Sequence, residues 1–138
     1  KSGTIINVAS MASFIPIPYM TTYSASKVFV RHFTHALTQE CKPYNVHAML
    51  LCPGLTKTNF NNAAGIENEI GKGLGTEYSS STQAPEQVAD ELLKALDKRK
   101  HYIVSGRMNR MAARLSTLFP NAFLARSFAG SYRKKLGK

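Results

Sequence analysis

The amino-acid sequence predicts an α/β protein built as an open, doubly wound parallel sheet, and three observations carry that prediction. Thr4–Val8 and Val46–Cys52 are near-continuous apolar runs, the pattern of parallel strands covered on both faces. A third short run follows at Tyr102–Val104, and segments of helical periodicity separate the three. Strand, helix and strand in succession make a βαβ unit with a right-handed crossover.

Each element follows in order. Thr4-Ile5-Ile6-Asn7-Val8 is β-branched and suits a strand. Tyr23 to Lys42 has the length and content of a helix, with Val28, Phe29, Phe33, Ala36 and Leu37 as its predicted apolar stripe. The second strand is closed by Pro53-Gly54. From there to Ser81 the chain is rich in Asn, Gly, Ser and Thr and reads as a long loop with a weak helical patch near Ile66 to Ile70. Thr82 is the expected cap of the next helix, with Pro85 and Glu86 in its first turn and Val88, Leu92, Leu93 and Leu96 at helical spacing. That helix is expected to end near Lys98 to Lys100, where cations suit a helix C-terminus. Gly106 stops the third strand, and Arg107 to Phe119 reads as a further helix broken by Pro120.

A chain of 138 residues with 43% apolar and 19% charged content is one ordinary domain with a core, which argues against disorder. No run approaches the roughly 18 apolar residues of a membrane span, and Lys1 to Thr4 do not open a secretory signal. Cys41 and Cys52 are too few for a disulfide scaffold. The expected location is therefore intracellular, either cytoplasmic or on the cytosolic face of a membrane, and not secreted. Because residue 1 is Lys and a strand begins within three residues of it, the chain reads as starting inside a larger protein.

The net charge of +10 is unevenly placed: residues 1–97 hold seven Lys/Arg against eight Asp/Glu, whereas residues 98–138 hold eleven Lys/Arg and no acid. A nucleic-acid binder would more often spread cations over its folded surface, so no nucleic-acid partner is expected. His32, His35 and Cys41 lack a carboxylate or second thiol at ligand spacing, and no metal site is expected. His47 and His101 have no evident partner in the sequence. Cys52 reads as a buried small hydrophobe.

The strongest chemical signal is Tyr23-Ser24-Ala25-Ser26-Lys27 at the start of the long helix, thirteen residues after Ser10. Residues four apart share a helix face, so the Lys27 ammonium can favour the phenolate of Tyr23, and the helix N-terminus acts in the same direction. Ser10 follows the first strand directly, which puts its hydroxyl at the carboxyl edge of the sheet, where ligands of open α/β folds bind.

Taken together, Asn7-Val8-Ala9-Ser10, Tyr23-x-x-x-Lys27, Pro53-Gly54-x-x-x-Thr58 and the helix entry Thr82-Gln83-Ala84-Pro85-Glu86-Gln87-Val88-Ala89 closely resemble the C-terminal half of a short-chain dehydrogenase/reductase. The resemblance implies the second half of a Rossmann-like doubly wound parallel sheet, with the first half absent from this chain. Residues 1–106 would be the catalytic half, with a substrate lid at about 55–81, and residues 107–138 a basic amphipathic C-terminal extension. It further implies an NAD(P)-dependent oxidoreductase interconverting an alcohol and a carbonyl on a hydrophobic steroid-, acyl- or lipid-like substrate.

In that reading Tyr23 is the proton donor and acceptor, and Lys27 assists it and holds the nicotinamide ribose. Ser10 binds the substrate carbonyl, while Pro53, Gly54, Thr56 and Thr58 line the nicotinamide end. The cofactor is NAD or NADP, since the residue that would choose between them is not in this sequence. Nor are the family's Gly-rich phosphate turn and its catalytic asparagine. Gly71-Lys72-Gly73-Leu74-Gly75 follows no strand and reads as lid rather than phosphate cradle.

Two partners beyond the small-molecule substrate are raised, a second copy in a homo-oligomer and an anionic membrane met peripherally by the basic tail. Met108, Met111, Leu115 and Leu118 form a stripe bordered by Arg107, Arg110 and Arg114, which suits core or lid packing or an anionic interface. The alternative to an enzyme is a non-catalytic or incomplete fragment that binds membrane or anions through this tail.

Overall fold

The computed structural model describes residues 2–63 and 81–135. The expected helical patch Ile66 to Ile70, the Gly71–Gly75 run and most of the expected lid lie outside them. Strands β1 (Gly3–Val8), β2 (Val46–Cys52) and β3 (Tyr102–Val104) form one parallel sheet in the order β1-β2-β3. Pairing of β1 with β2 runs from Gly3 opposite Val46 to Val8 opposite Leu51. β3 pairs only with the end of β2, from Leu50 opposite Tyr102 to Cys52 opposite Val104.

This register sets where the core lies. Ala9, Leu50, Cys52, Val104 and Ala113 cluster with Met11, Phe14 and Val30 around the carboxyl half of β2. β2 is covered as its continuous apolar run predicts, with six of its seven residues buried. β1 is not: Ile5, Ile6 and Val8 are exposed. A strand with one β neighbour and few helix contacts leaves its outer apolar surface open.

Helix α1 (Thr21–Glu40) begins and ends two residues before its predicted bounds. A 3-10 turn, Lys42–Tyr44, follows, and Asn45 at φ 53° closes it in the left-handed region that Asn tolerates. The predicted apolar stripe is only partly the packing face: Val28 and Leu37 are half-buried, the other three exposed. Phe29 is 69% and Phe33 51% exposed, stacked on each other at 5.9 Å, and Ala36 is exposed too. The buried positions are instead Ser24, Thr34 and Thr38. Their hydroxyls are satisfied locally, Thr34 Oγ1 donating to the Val30 carbonyl at 2.6 Å and Thr38 Oγ1 to the His35 carbonyl at 2.6 Å. A hydroxyl so paired can be buried without the penalty of a lost hydrogen bond.

A short helix α2 (Phe60–Ala63) lies in the stretch predicted as loop, its first N–H donating to Thr58 Oγ1 at 3.3 Å. Helix α3 (Pro85–Asp97) is capped at Ala84, not Thr82. The Gln87 side chain accepts from the Ala84 N–H at 2.9 Å, half of a capping box, and Pro85 fills the first turn where no N–H is needed. After β3, Gly106 takes φ 81°, a conformation that only glycine adopts readily, and the chain enters α4 (Arg107–Ser116). Pro120 separates α4 from α5 (Asn121–Lys135) and also starts the latter, its carbonyl accepting from Phe123 N at 3.0 Å and Leu124 N at 3.2 Å. Among the described residues no helix is long and apolar enough to cross a membrane.

Candidate active site

The pairing of β1 with β2 continues past both strand ends. Ala9 N donates to the Leu51 carbonyl at 2.8 Å and Met11 N to the Pro53 carbonyl at 2.9 Å, so Ser10 is held beside Pro53 at the carboxyl edge. Ser10 caps a 3-10 turn, Met11–Ser13, with Oγ accepting from Ala12 N at 3.1 Å. Since that oxygen is the acceptor, the hydroxyl proton is available for a ligand oxygen.

Tyr23 and Lys27 come to the same edge on the first turns of α1. Lys27 Nζ donates to the carbonyl of Val8, the last residue of β1, at 3.2 Å and lies 5.7 Å from the centre of the Tyr23 ring. The Tyr23 ring also lies beside Phe60 of α2, with centroids 5.8 Å apart. Two α1 side chains hold the turn after Ser10 in place. Ser24 Oγ meets the carbonyls of Ala12 and Ile15, each at 3.1 Å, and Arg31 donates to the Ser13 carbonyl at 2.7 Å while its guanidinium covers the Phe14 ring at 4.2 Å. Ser24, next to Tyr23, and Arg31, two turns further along α1, thus tie the turn capped by Ser10 to the helix that carries Tyr23. Their part was not legible in the sequence, because the partners are backbone carbonyls.

The third contributor is the segment after β2. Gly54 faces Asn109 of α4 so closely that a Cβ there would sit 2.6 Å from the Asn109 Cγ, so any larger residue would have to displace the Asn109 side chain. Thr56 Oγ1 donates to the Gly54 carbonyl at 3.1 Å, and Thr58 caps α2. Behind them, Lys57 N donates to the Gln83 carbonyl at 2.9 Å and Gln83 N to the Leu55 carbonyl at 3.1 Å.

Glu91 joins this segment to both flanking helices. It accepts from Gln83 Nε2 at 3.0 Å, from the Gly106 N–H at 3.2 Å and from Arg110 at 2.7 Å. Burial pushes the Glu91 carboxyl up, but the hydrogen bonds from Arg110, Gly106 and Gln83 outweigh it and hold the carboxyl below its ordinary range. A group depressed in the fold stabilises it above the ordinary value of 4.5 and loses that contribution as acid titrates it. Both partners of the ion pair are about one-third exposed, so solvent screening keeps the expected gain near 1 kcal/mol. Glu91→Gln should therefore lower Tm by roughly 3 °C at neutral pH. The difference from the parent should vanish in thermal melts well below pH 4.5, and an undiminished difference there would exclude the ionised carboxylate as its source.

The remaining predicted residues lie elsewhere. His32 and His35 are exposed on α1, and His35 meets the edge of Tyr102 at 5.8 Å. His47 has a partner the sequence did not reveal: buried in β2, it pairs through Nε2 with the Lys100 carbonyl at 3.2 Å and lies beside the His101 ring at 5.4 Å. Cys52 is fully buried, and burial pushes its thiol up, away from the reactive thiolate.

A parallel βαβ sheet with Ser10, the Tyr23–Lys27 pair and the Pro53-Gly54 turn along one carboxyl edge defines a Rossmann-like α/β protein with its chemistry at the ligand edge of the fold. The chain belongs to the short-chain dehydrogenase family, a family of oxidoreductases, whose model matches residues 1–69, half of the sequence. It is 31% identical over 126 residues to dehydrogenase/reductase SDR family member 7B of Xenopus laevis, covering 91% of this chain and 39% of that protein. Among solved structures it is similar to a 7β-hydroxysteroid dehydrogenase, with a TM-score of 0.68 at 22% identity over 91% of this chain and 47% of that one. A short-chain dehydrogenase from Burkholderia cenocepacia in complex with NADP gives a TM-score of 0.65 at 24% identity, covering 82% and 42%. At these identities the structural likeness is one of fold. The chain spans about 40% of the length of the curated relative it matches.

Proposed function

We propose that this chain supplies the catalytic half of an NAD(P)-dependent oxidoreductase that interconverts an alcohol and a carbonyl, with residues 1–106 carrying the chemistry and 107–138 a basic extension. The observation that supports it most is the convergence of Ser10, Tyr23, Lys27 and Pro53-Gly54 on one sheet edge, held by the Lys27–Val8 and Met11–Pro53 hydrogen bonds. The donor set there consists of an ammonium, hydroxyls and main-chain groups with no acid, which fits a nicotinamide riboside. Bound nicotinamide would supply or accept a hydride.

The work of the chain's own residues then follows from their chemistry. In the reducing direction Tyr23 gives its phenolic proton to the carbonyl oxygen, and in oxidation it takes the proton back. Lys27, with one N–H on Val8, keeps two for the ribose hydroxyls, and its charge stabilises the phenolate left on Tyr23. Ser10 donates to the same carbonyl oxygen, polarising it and fixing its distance from Tyr23. Thr56 and Thr58 would line the carboxamide end of the nicotinamide. The Phe60 ring beside Tyr23 supports a hydrophobic substrate.

The direct test uses the natural polypeptide that carries this sequence. It should consume reduced nicotinamide when offered a panel of steroid and long-chain ketones, with NADH and NADPH compared. No turnover on any ketone or alcohol by a folded preparation that binds the nucleotide would overturn the assignment.

A further inference from the structure

The α4–α5 corner presents an apolar surface that the proposed chemistry does not use. Met108, Met111, Leu115, Leu118, Phe119 and Phe123 are 58, 51, 50, 73, 47 and 56% exposed. The buried residues of α4 are small, Ala113 and Ser116, and Asn109 and Arg110 also turn inward, to the Ser105 carbonyl and Glu91. The helix is therefore inverted with respect to the usual pattern, with its large apolar groups outward. At about 100° per residue, Met108, Met111 and Leu115 fall on one arc of α4 and Arg107 and Arg114 on the arc that borders it, Leu118 follows just past the helix end, and Arg110 is turned inward to Glu91. Arg126, Arg133 and Lys134 are exposed on α5, and residues 98–138 contain eleven cations without an acid.

We infer that this corner docks peripherally on an anionic lipid bilayer, the methionine, leucine and phenylalanine side chains entering the headgroup–acyl boundary while the exposed Arg107, Arg114 and the α5 cations meet lipid phosphates. Charge selects the lipid over the other occupants of an apolar face. A second copy packed through the same surface would set arginine against arginine across a two-fold axis, with no acid in residues 98–138 to offset it. A nucleic acid would use the cations but leave the aliphatic stripe without a partner. An anionic bilayer satisfies both at once, because its surface potential attracts the cations and its interior accepts the apolar stripe. The inference is independent of the proposed redox chemistry and concerns where the protein sits.

Sedimentation of the natural polypeptide that carries this sequence with vesicles tests it. Recovery on vesicles of phosphatidylcholine with about one-third phosphatidylserine should correspond to at least about tenfold higher apparent affinity than on phosphatidylcholine alone. It should fall as salt is raised from roughly 50 to 500 mM. Leu115→Glu with Leu118→Glu should abolish recovery without lowering Tm, since both side chains are exposed, and Arg107→Glu with Arg114→Glu should remove the preference for anionic lipid. Equal recovery on both vesicles, or none on either, would overturn the inference. So would a dimer that the Leu115→Glu variant disperses in the absence of lipid binding, which would assign the face to a second copy. A large loss of Tm in the double glutamate variant would also overturn it, because the face would then be covered within the chain.

Discussion

Tyr23→Phe should lower turnover by about a thousandfold while leaving nicotinamide binding close to that of the parent. Only one oxygen is removed, and the ring keeps its neighbours, Phe60 at 5.8 Å and the Lys27 ammonium at 5.7 Å, so neither α1 nor the sheet edge has reason to shift. General acid catalysis by a positioned side chain is worth roughly 10²–10⁴-fold, and without the hydroxyl no group among Ser10, Lys27 and the main chain stands in its place with the same reach. The loss should fall on kcat, with KM for the nucleotide unchanged. Steady-state kinetics and calorimetric titration on the natural polypeptide are the measurements, and turnover within a few-fold of the parent would remove Tyr23 from the chemistry.

Lys27→Met separates the two roles proposed for lysine from the single role of tyrosine. The ammonium bonds the Val8 carbonyl at 3.2 Å and lies by the tyrosine ring, so its loss should weaken nucleotide binding and slow proton transfer together. Each effect is expected at about tenfold or more, a charge-assisted hydrogen bond being worth roughly 1.5–3 kcal/mol. Both KM for the nucleotide and kcat should therefore change, in contrast to Tyr23→Phe. Lys27→Arg should not restore the parent, because a planar guanidinium cannot reproduce the compact charge between strand end and ring. A Lys27→Met variant with normal nucleotide affinity would refute the ribose contact.

Much of the fold was legible because it rests on local patterns. β2 and β3 match their predicted bounds, since apolar runs stopped by Pro53-Gly54 and Gly106 leave little freedom in where a buried strand ends. The start of α1 was misplaced by two residues because its N-cap, Met20, makes no side-chain cap and leaves no signal. The packing face of α1 was misread for a deeper reason. Ser24, Thr34 and Thr38 count as polar in a periodicity, yet their hydroxyls bond backbone carbonyls and they pack as small buried residues, while Phe29 and Phe33 stack on each other outside. In α4 the same inversion put Ala113 and Ser116 inside and the methionines and leucines out.

The sequence by itself determined the fold class, the order of the elements and the set of residues that meet at the sheet edge. Those follow from runs, stops and short spacings: Ser10 must leave β1 at its carboxyl end, and Lys27 must share a helix face with Tyr23. Only the tertiary structure decided what holds that edge in shape. Arg31 reaches Ser13 across 18 residues, Glu91 reaches Arg110 across 19, and the Asn109 side chain packs into the space beside Gly54. Such contacts join residues far apart in the chain through single side chains and carbonyls, and no local periodicity records them. Which face of a helix is buried was decided there too, because burial depends on what the neighbouring elements leave uncovered and on whether a polar group finds a partner.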